Sequence, residues 1–358
     1  MLLLGAFGGI ASAVASPPPR VAIVVLPRAT TVGELGRIPG MGLGLMSAAI
    51  GRPPAAQTYV DVSQGNRLSP SLYSGLLPKP ALVGAPGSAR RVNVLGWPRI
   101  AARAAGAPSE LTPGLLASSL EQAGIPVRAA TTAKPALMAA DEQGHLASDA
   151  GCATSLCPGL TVTQATLGEL HGLINGLREG DLVVAFSAPR SAKNHELAVG
   201  IAGAGFDGQL TSESTHTGGL VLSTDLAPTI LRRFGVAVPA AVAGQPVTTD
   251  DSPDAGALED LDTRLAQIAP RRHTVIGVNL MIWVLAALAG AAIWRRRGLR
   301  LVIPLLAGTL AFAPFMMLVA PAFEPSELVE RLMVGAGSPA LAALALALAG
   351  PWGALAIG

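Results

Sequence analysis

Charge is scarce in this chain. Only 13% of its 358 residues are Asp, Glu, Lys or Arg, aromatics make up 4%, and the formal net charge is +2. The basic residues form no long stripe interleaved with aromatic side chains, so the footprint of a nucleic-acid surface is missing and no nucleic acid is expected as a partner. Cysteine is nearly absent: Cys152 and Cys157 are the only two. A zinc ribbon needs further soft ligands close by, and none is there. Their spacing is also wrong for a redox Cys-x-x-Cys pair. A disulfide closing a small loop is expected if the domain is exported, and two free loop thiols otherwise. The sequence also lacks a phosphate-binding Gly-x-x-x-x-Gly-Lys-Ser/Thr loop and a nucleophile elbow with a Ser-His-Asp order. Gly40, Gly42 and Gly44 enrich Pro39 to Ser47 in glycine without forming a dinucleotide fingerprint. No internal repeat is evident.

What the chain has in excess is apolar surface. Half of it is hydrophobic and its mean hydropathy is +0.49, which suggests a soluble domain joined to membrane spans. Abundant Gly, Ala and Pro with little Lys is the composition of a GC-rich bacterial genome. Leu2 to Ala15 is an apolar run ending in Ala13-Val14-Ala15, with Pro17-Pro18-Pro19 after it. It is too short to span a bilayer comfortably, so residues 1–15 read as a signal peptide or an N-terminal anchor. Residues 274–358 read as transmembrane helices, at about 275–294, 301–323 and 338–357, behind a polar linker or juxtamembrane helix over 250–273. Arg295, Arg296, Arg297 and Arg300 fall between the first two spans. They place that connection in the cytoplasm and the large N-terminal domain outside it. The expected location is the cell membrane, multi-pass, with the lipid bilayer as a partner.

Between these segments, helical patterns alternate with hydrophobic strands, which implies an α/β domain with a mostly parallel sheet flanked by helices. Val21 to Leu26 is a continuous aliphatic run of the kind that forms a buried parallel strand. Leu111 to Gln122 and Thr163 to Arg178 carry apolar helical stripes, each followed by a strand, Ile125 to Ala130 and Leu182 to Phe186. Leu197 to Ile201 reads as a further strand. Thr58 to Arg67 reads as a strand-like alternation ending in a polar turn. A last helix runs from Leu226 to Phe234, with Thr224 as its cap and Asp225 near its positive end.

Two stretches carry a resemblance. Asp181-Leu182-Val183-Val184-Ala185-Phe186-Ser187-Ala188-Pro189-Arg190 reads as a buried strand entering a tight turn. Ser214-Thr215-His216-Thr217 leads on to Thr224-Asp225-Leu226-Ala227-Pro228-Thr229-Ile230-Leu231, then Phe234-Gly235-Val236, Pro239 and Gly244. Together they resemble the C-terminal half of the alkaline phosphatase superfamily, which also holds sulfatases and cofactor-independent phosphoglycerate mutases. The resemblance implies an alkaline-phosphatase-like domain over residues 20–249. In that family the strand typically ends Ser-Asp-His-Gly, and its Asp and His bind catalytic metal. Here Ala188 and Pro189 stand at those positions, and the family's first ligand, an Asp ending the first strand, is replaced near Pro27. None of the three binds a cation through its side chain, whereas a two-metal phosphatase needs several carboxylates and imidazoles around its ions.

The resemblance therefore implies a degenerate, extracytoplasmic pseudoenzyme without cofactor or metal. It would bind or scaffold at the bacterial cell envelope, with envelope glycans or another membrane protein as candidate partners. The alternative is an active metal-dependent hydrolase or transferase of phosphate, sulfate or phosphoglycan groups. Its catalytic candidates are Ser47, roughly where the family's nucleophile falls, and His216, which resembles the family's late metal-binding His. Asp61, His195 and His216 would serve as displaced metal ligands. Each has a plainer reading: Ser47 as a cap or exposed hydroxyl, His216 as a loop imidazole on a backbone carbonyl, Asp61 as a turn residue.

Overall fold

The computed structural model describes residues 18–48, 50–83, 90–191, 196–250, 252–323 and 327–357. The segment read as a signal peptide or anchor lies outside the described residues, as does His195. The chain divides into two compact units between residues 262 and 263.

The first unit is built on a twelve-stranded mixed sheet. In chain order its strands are β1 (Arg20–Leu26), β2 (Met41–Ser47), β3 (Ala81–Val83), β4 (Arg90–Leu95), β5 (Val127–Ala129), β6 (His145–Ser148), β7 (Gly159–Gln164), β8 (Leu182–Ser187), β9 (Glu196–Ala202), β10 (Gln209–Thr211), β11 (Leu220–Leu222) and β12 (Thr248–Asp250). The spatial order is β12-β10-β2-β9-β8-β1-β7-β5-β6-β4-β3, with β11 also on β2. β1 lies at the centre, parallel to β7 and β8. β9 runs antiparallel to both β8 and β2, and β4 is antiparallel to β3 and β6. The sheet is therefore mixed around a parallel centre rather than mostly parallel. Nothing in the run Leu197 to Ile201 encodes its direction, because a strand buried on both faces reads the same either way.

The helices α1 (Val32–Leu35), α2 (Ala55–Gln64), α3 (Trp97–Ala105), α4 (Leu115–Gln122), α5 (Leu167–Asn175) and α6 (Leu226–Arg233) flank the sheet. β1 and β8 have the aliphatic runs expected of central strands, and Val21 to Leu26 and Leu182 to Ser187 are buried throughout. α5 starts at its capping box: the Thr166 hydroxyl accepts from the Glu169 N–H while Glu169 accepts from the Thr166 N–H. β7 runs to Gln164, so this helix is shorter than the expected Thr163 to Arg178. α4 starts at Leu115 rather than Leu111 because Gly114 takes a left-handed φ of 86° there.

Three elements differ in kind from the sequence reading. Pro39 to Ser47 contains a strand, β2, whose glycines admit close neighbours: a Cβ on Gly42 would lie 2.8 Å from the Gly208 carbonyl oxygen. Thr58 to Gln64 belongs to a helix, α2, not a strand. All its residues after Ala55 are buried, so it has no polar face to give a 3.6-residue period, and Thr58, Val60 and Val62 imitate a strand. Gly65, left-handed at φ 61°, ends it. At α6 the cap position is Asp225, not Thr224, which lies in the short turn before it.

Cys152 and Cys157 form a disulfide just ahead of β7. The closed loop is short, so the chain-entropy model gives it about 2 kcal/mol. Reduction is expected to lower the unfolding free energy by that amount, read as a fall in the denaturation midpoint. A midpoint unmoved by reductant would show the bridge to be energetically idle.

From Ala255 the backbone stays helical over α7 (Ala255–Val319), through Arg295 to Arg300, where the sequence predicts a connection between spans. The polar segment 250–273 thus becomes helical from Ala255. α7 is not straight. A Cβ on Gly290 would meet the Val302 side chain at 3.1 Å, yet twelve residues of straight helix rise about 18 Å, so the helix bends sharply between them. α8 (Glu327–Ile357) packs on both arms. The Trp283 indole donates to the Gly335 carbonyl at 3.0 Å, and a Cβ on Gly308 would sit 3.0 Å from Ala342 Cβ. Small residues at such crossings are what bilayer helices use to approach closely. Val302–Val319 and Leu328–Leu348 are long and apolar enough to cross a membrane, and Ile276–Gly290 is a shorter apolar stretch.

Candidate functional site

The parallel strands β1, β7 and β8 all end at one edge of the sheet, the usual ligand position in open α/β sheets. A cleft of about 660 Å³ opens there, within the size range of small-molecule sites. β1 delivers Leu26, Pro27 and Arg28, and β8 delivers Ala188 and Pro189. β7 delivers Gln164, after which α5 begins with Thr166 and Glu169. α2 contributes Ala55 and Tyr59, and the turn after β5 adds Lys134 and Pro135. The positions singled out by family resemblance, Pro27, Ala188 and Pro189, thus line one cavity.

The cleft's lining joins two cations, Arg28 and Lys134, to apolar side chains. Arg28 and Lys134 are exposed at its wall and have no ion-pair partner among the described residues. Glu169 is the one acid in the lining, and its carboxylate accepts from the Thr166 N–H at 2.7 Å and the Thr166 hydroxyl at 2.9 Å. Those bonds hold its carboxyl below the usual carboxylate range. The Tyr59 side chain is 4% exposed. Burial pushes its hydroxyl to about 12, partly offset by the Arg28 charge, so it stays protonated as a donor.

A pair of divalent cations does not fit these side chains. Pro27, Ala188 and Pro189 offer no ligating atom beyond the backbone, and no three His, Cys, Asp or Glu side chains converge among the described residues. The sequence candidates among the described residues form no such three-ligand group. Ser47 ends β2 opposite Glu196, and its hydroxyl and carbonyl accept from Arg67 Nη1 at 3.2 and 2.7 Å. It is not a helix cap, and the side chain its hydroxyl meets is a cation rather than a base that would activate it. His216 sits on an exposed turn at φ 49°, with its Nδ1 3.5 Å from the exposed Glu213 carboxylate.

Asp61 is buried on α2, where its Oδ1 accepts from the side-chain amides of Gln57 at 2.7 Å and Gln64 at 3.2 Å. Burial raises its carboxyl to about 7, against the lowering influence of Gln57, Arg67, Arg103 and Gln64. Arg103 in turn donates to Gln57 Oε1 at 3.0 Å and stacks 3.6 Å from the centre of the Tyr73 ring. The Tyr73 hydroxyl lies near Gln64 and Arg103 without reaching hydrogen-bond geometry with either. Asp61 thus belongs to an internal polar network. Glu196 is pushed to about 6, by burial first and by Asp262, with its own backbone bond and Arg67 opposing.

Arg28, Tyr59 and Lys134 went unnoticed in the sequence. Arg28 carried one signal, since it is the second residue after the end of a central strand. Tyr59 and Lys134 carried none, because only the strand order brings α2 and the turn after β5 to the same edge.

No family model and no curated protein matches this chain. Among solved structures it is similar to the PH0037 protein from Pyrococcus horikoshii, at 8% identity and a TM-score of 0.35, over 63% of this chain and 99% of that one. That similarity is too slight to bear on fold family or activity. What stands is an α/β unit with a mixed sheet, joined to a unit with two helices of membrane-crossing length and apolarity.

Proposed function

We propose that residues 20–249 form a degenerate alkaline-phosphatase-like domain that binds or scaffolds rather than hydrolyses, held at the cell membrane by the C-terminal helices. The observation that carries the reading is the meeting of Pro27, Ala188 and Pro189 in one cleft at the carboxyl ends of β1 and β8. At the positions where the resembling family places metal ligands, the cleft is lined by apolar side chains. The arginines at 295–300, on the cytoplasmic side by the positive-inside rule, put the domain outside the cytoplasm. Its partners on this reading are the lipid bilayer and an envelope glycan or second membrane protein.

The test uses the full chain in detergent, supplied with zinc or manganese. Bound metal well below one ion per chain is expected, with no p-nitrophenyl phosphate turnover above buffer. Stoichiometric metal together with turnover that a chelator abolishes would remove the proposal.

A further inference from the structure

The carboxyl-edge cleft has a specific chemical character that the word "binding" leaves open. Its lining includes Pro27, Pro135 and Pro189. Rigid rings of this kind present a flat apolar surface at no side-chain entropy cost. Two cations border it, Arg28 and Lys134, and the one acid beside them is already occupied in capping α5. α2 opens onto the cleft at Ala55 with Pro54 as its cap residue, which has no side-chain acceptor for the first N–H groups. A ten-residue helix that starts in this way carries a partial positive charge at that end. The Tyr59 side chain, more than nine-tenths buried, lines the same cavity, and its hydroxyl has no hydrogen-bond partner among the described residues. That hydroxyl is not among the polar atoms sealed from solvent without a partner, so it stands at the cavity as a donor that a ligand's acceptor can take over from water.

From these features we infer that the cleft is a metal-independent site for an organic oxyanion, a phosphate or carboxylate on an apolar body. The anionic group pairs with Arg28 and Lys134 and accepts from the Tyr59 hydroxyl, while the apolar body lies on the three prolines. The inference deepens the non-catalytic reading above and rests on it. The shared chemistry belongs equally to a free organic acid and to an anionic lipid headgroup.

Calorimetric titration of the full chain in a neutral detergent tests it, with phenyl phosphate and benzoate as probes and benzyl alcohol as the uncharged control. At least one of the two anions is expected to bind on the order of tenfold or more tightly than the alcohol. The double substitution Arg28→Gln, Lys134→Gln lies on exposed positions and should remove that preference, while Tyr59→Phe should weaken the anion about tenfold or more, the scale of one hydrogen bond to a charged group. Repeating the titration in phosphatidylcholine vesicles with and without phosphatidylglycerol separates the two sources. Competition by the anionic lipid assigns the site to a headgroup, and its absence assigns it to a free anion. If neither anion binds better than benzyl alcohol, or the double variant binds as wild type does, the inference is overturned while the non-catalytic reading stands. If phenyl phosphate is bound and hydrolysed, the non-catalytic reading fails and the anion site survives.

Discussion

Raising the pH from 5 to 8 is expected to destabilise the α/β unit by about 3 kcal/mol, and Asp61→Asn is expected to remove most of that loss. Asp61 lies wholly inside the protein, and burial lifts its carboxyl to about 7, whereas in the unfolded chain it titrates near 4. The folded state therefore holds the proton more tightly than the unfolded one. For an acid raised in this way, the stabilising contribution is complete below the unfolded value and is lost as pH rises through the folded value. At 1.36 kcal/mol per unit, the span from pH 5 to about 7 gives the figure above.

Asparagine suits the site because its Oδ1 can keep accepting from Gln57 and Gln64, the two amides that hold Asp61 Oδ1. Glu196, raised to about 6, contributes with the same sign and leaves a smaller residual slope in the variant. Asp181 does not compete in this window. Burial pushes it up, but hydrogen bonds from Arg20 and Arg178 and the Arg20 charge bring it net below its usual value, so its contribution is lost only in stronger acid. Thermal melting of both proteins in detergent across this range measures the effect. Parallel profiles for wild type and Asp61→Asn would refute the assignment.

How much of this was readable beforehand depended on whether a residue's environment leaves a mark in its neighbours. β1 and β8 were legible because strands buried on both faces become uninterrupted aliphatic runs. α5 was legible because one apolar face, Leu170 and Leu173, sits opposite a solvated one. α2 has no solvated face, so its period vanished and Asp61 looked like a turn residue. β2 was hidden by Gly42 and Gly44, which are needed by the backbone of residues 206–219 rather than by the strand itself. The three positions Pro27, Ala188 and Pro189 were found by resemblance. The cations and the tyrosine beside them depend on chain topology, which no local spacing encodes.

Gly244→Ala is expected to cost about 3 kcal/mol, near 10 °C of melting temperature for a unit of this size. The residue belongs to the same motif that suggested the family, and the structure supplies a physical reason for glycine there. A Cβ on Gly244 would lie 2.1 Å from the Thr224 carbonyl oxygen and 2.9 Å from the Asp225 nitrogen. Both are backbone atoms, so relief requires moving the chain. That chain cannot move freely. Asp225, fully buried, accepts from the Gln245 N–H at 3.0 Å, the Ser214 hydroxyl at 2.6 Å and the Leu222 N–H at 2.8 Å. The Val247 N–H donates to the Thr229 hydroxyl at 2.9 Å.

Displacing residues 243–247 breaks the first and last of these bonds and leaves a buried carboxylate short of a donor, a loss of about 1.5–3 kcal/mol before any packing change. Gly168→Ala provides the contrast. It lies in the first turn of α5 with nothing within 4 Å of its Cβ position, and the gain in helix propensity should leave it neutral or stabilising by up to about 1 kcal/mol. Equal melting temperatures for the two variants would mean that the turn beside Asp225 yields freely, and that the helix-closing motif is not held by the bonds described.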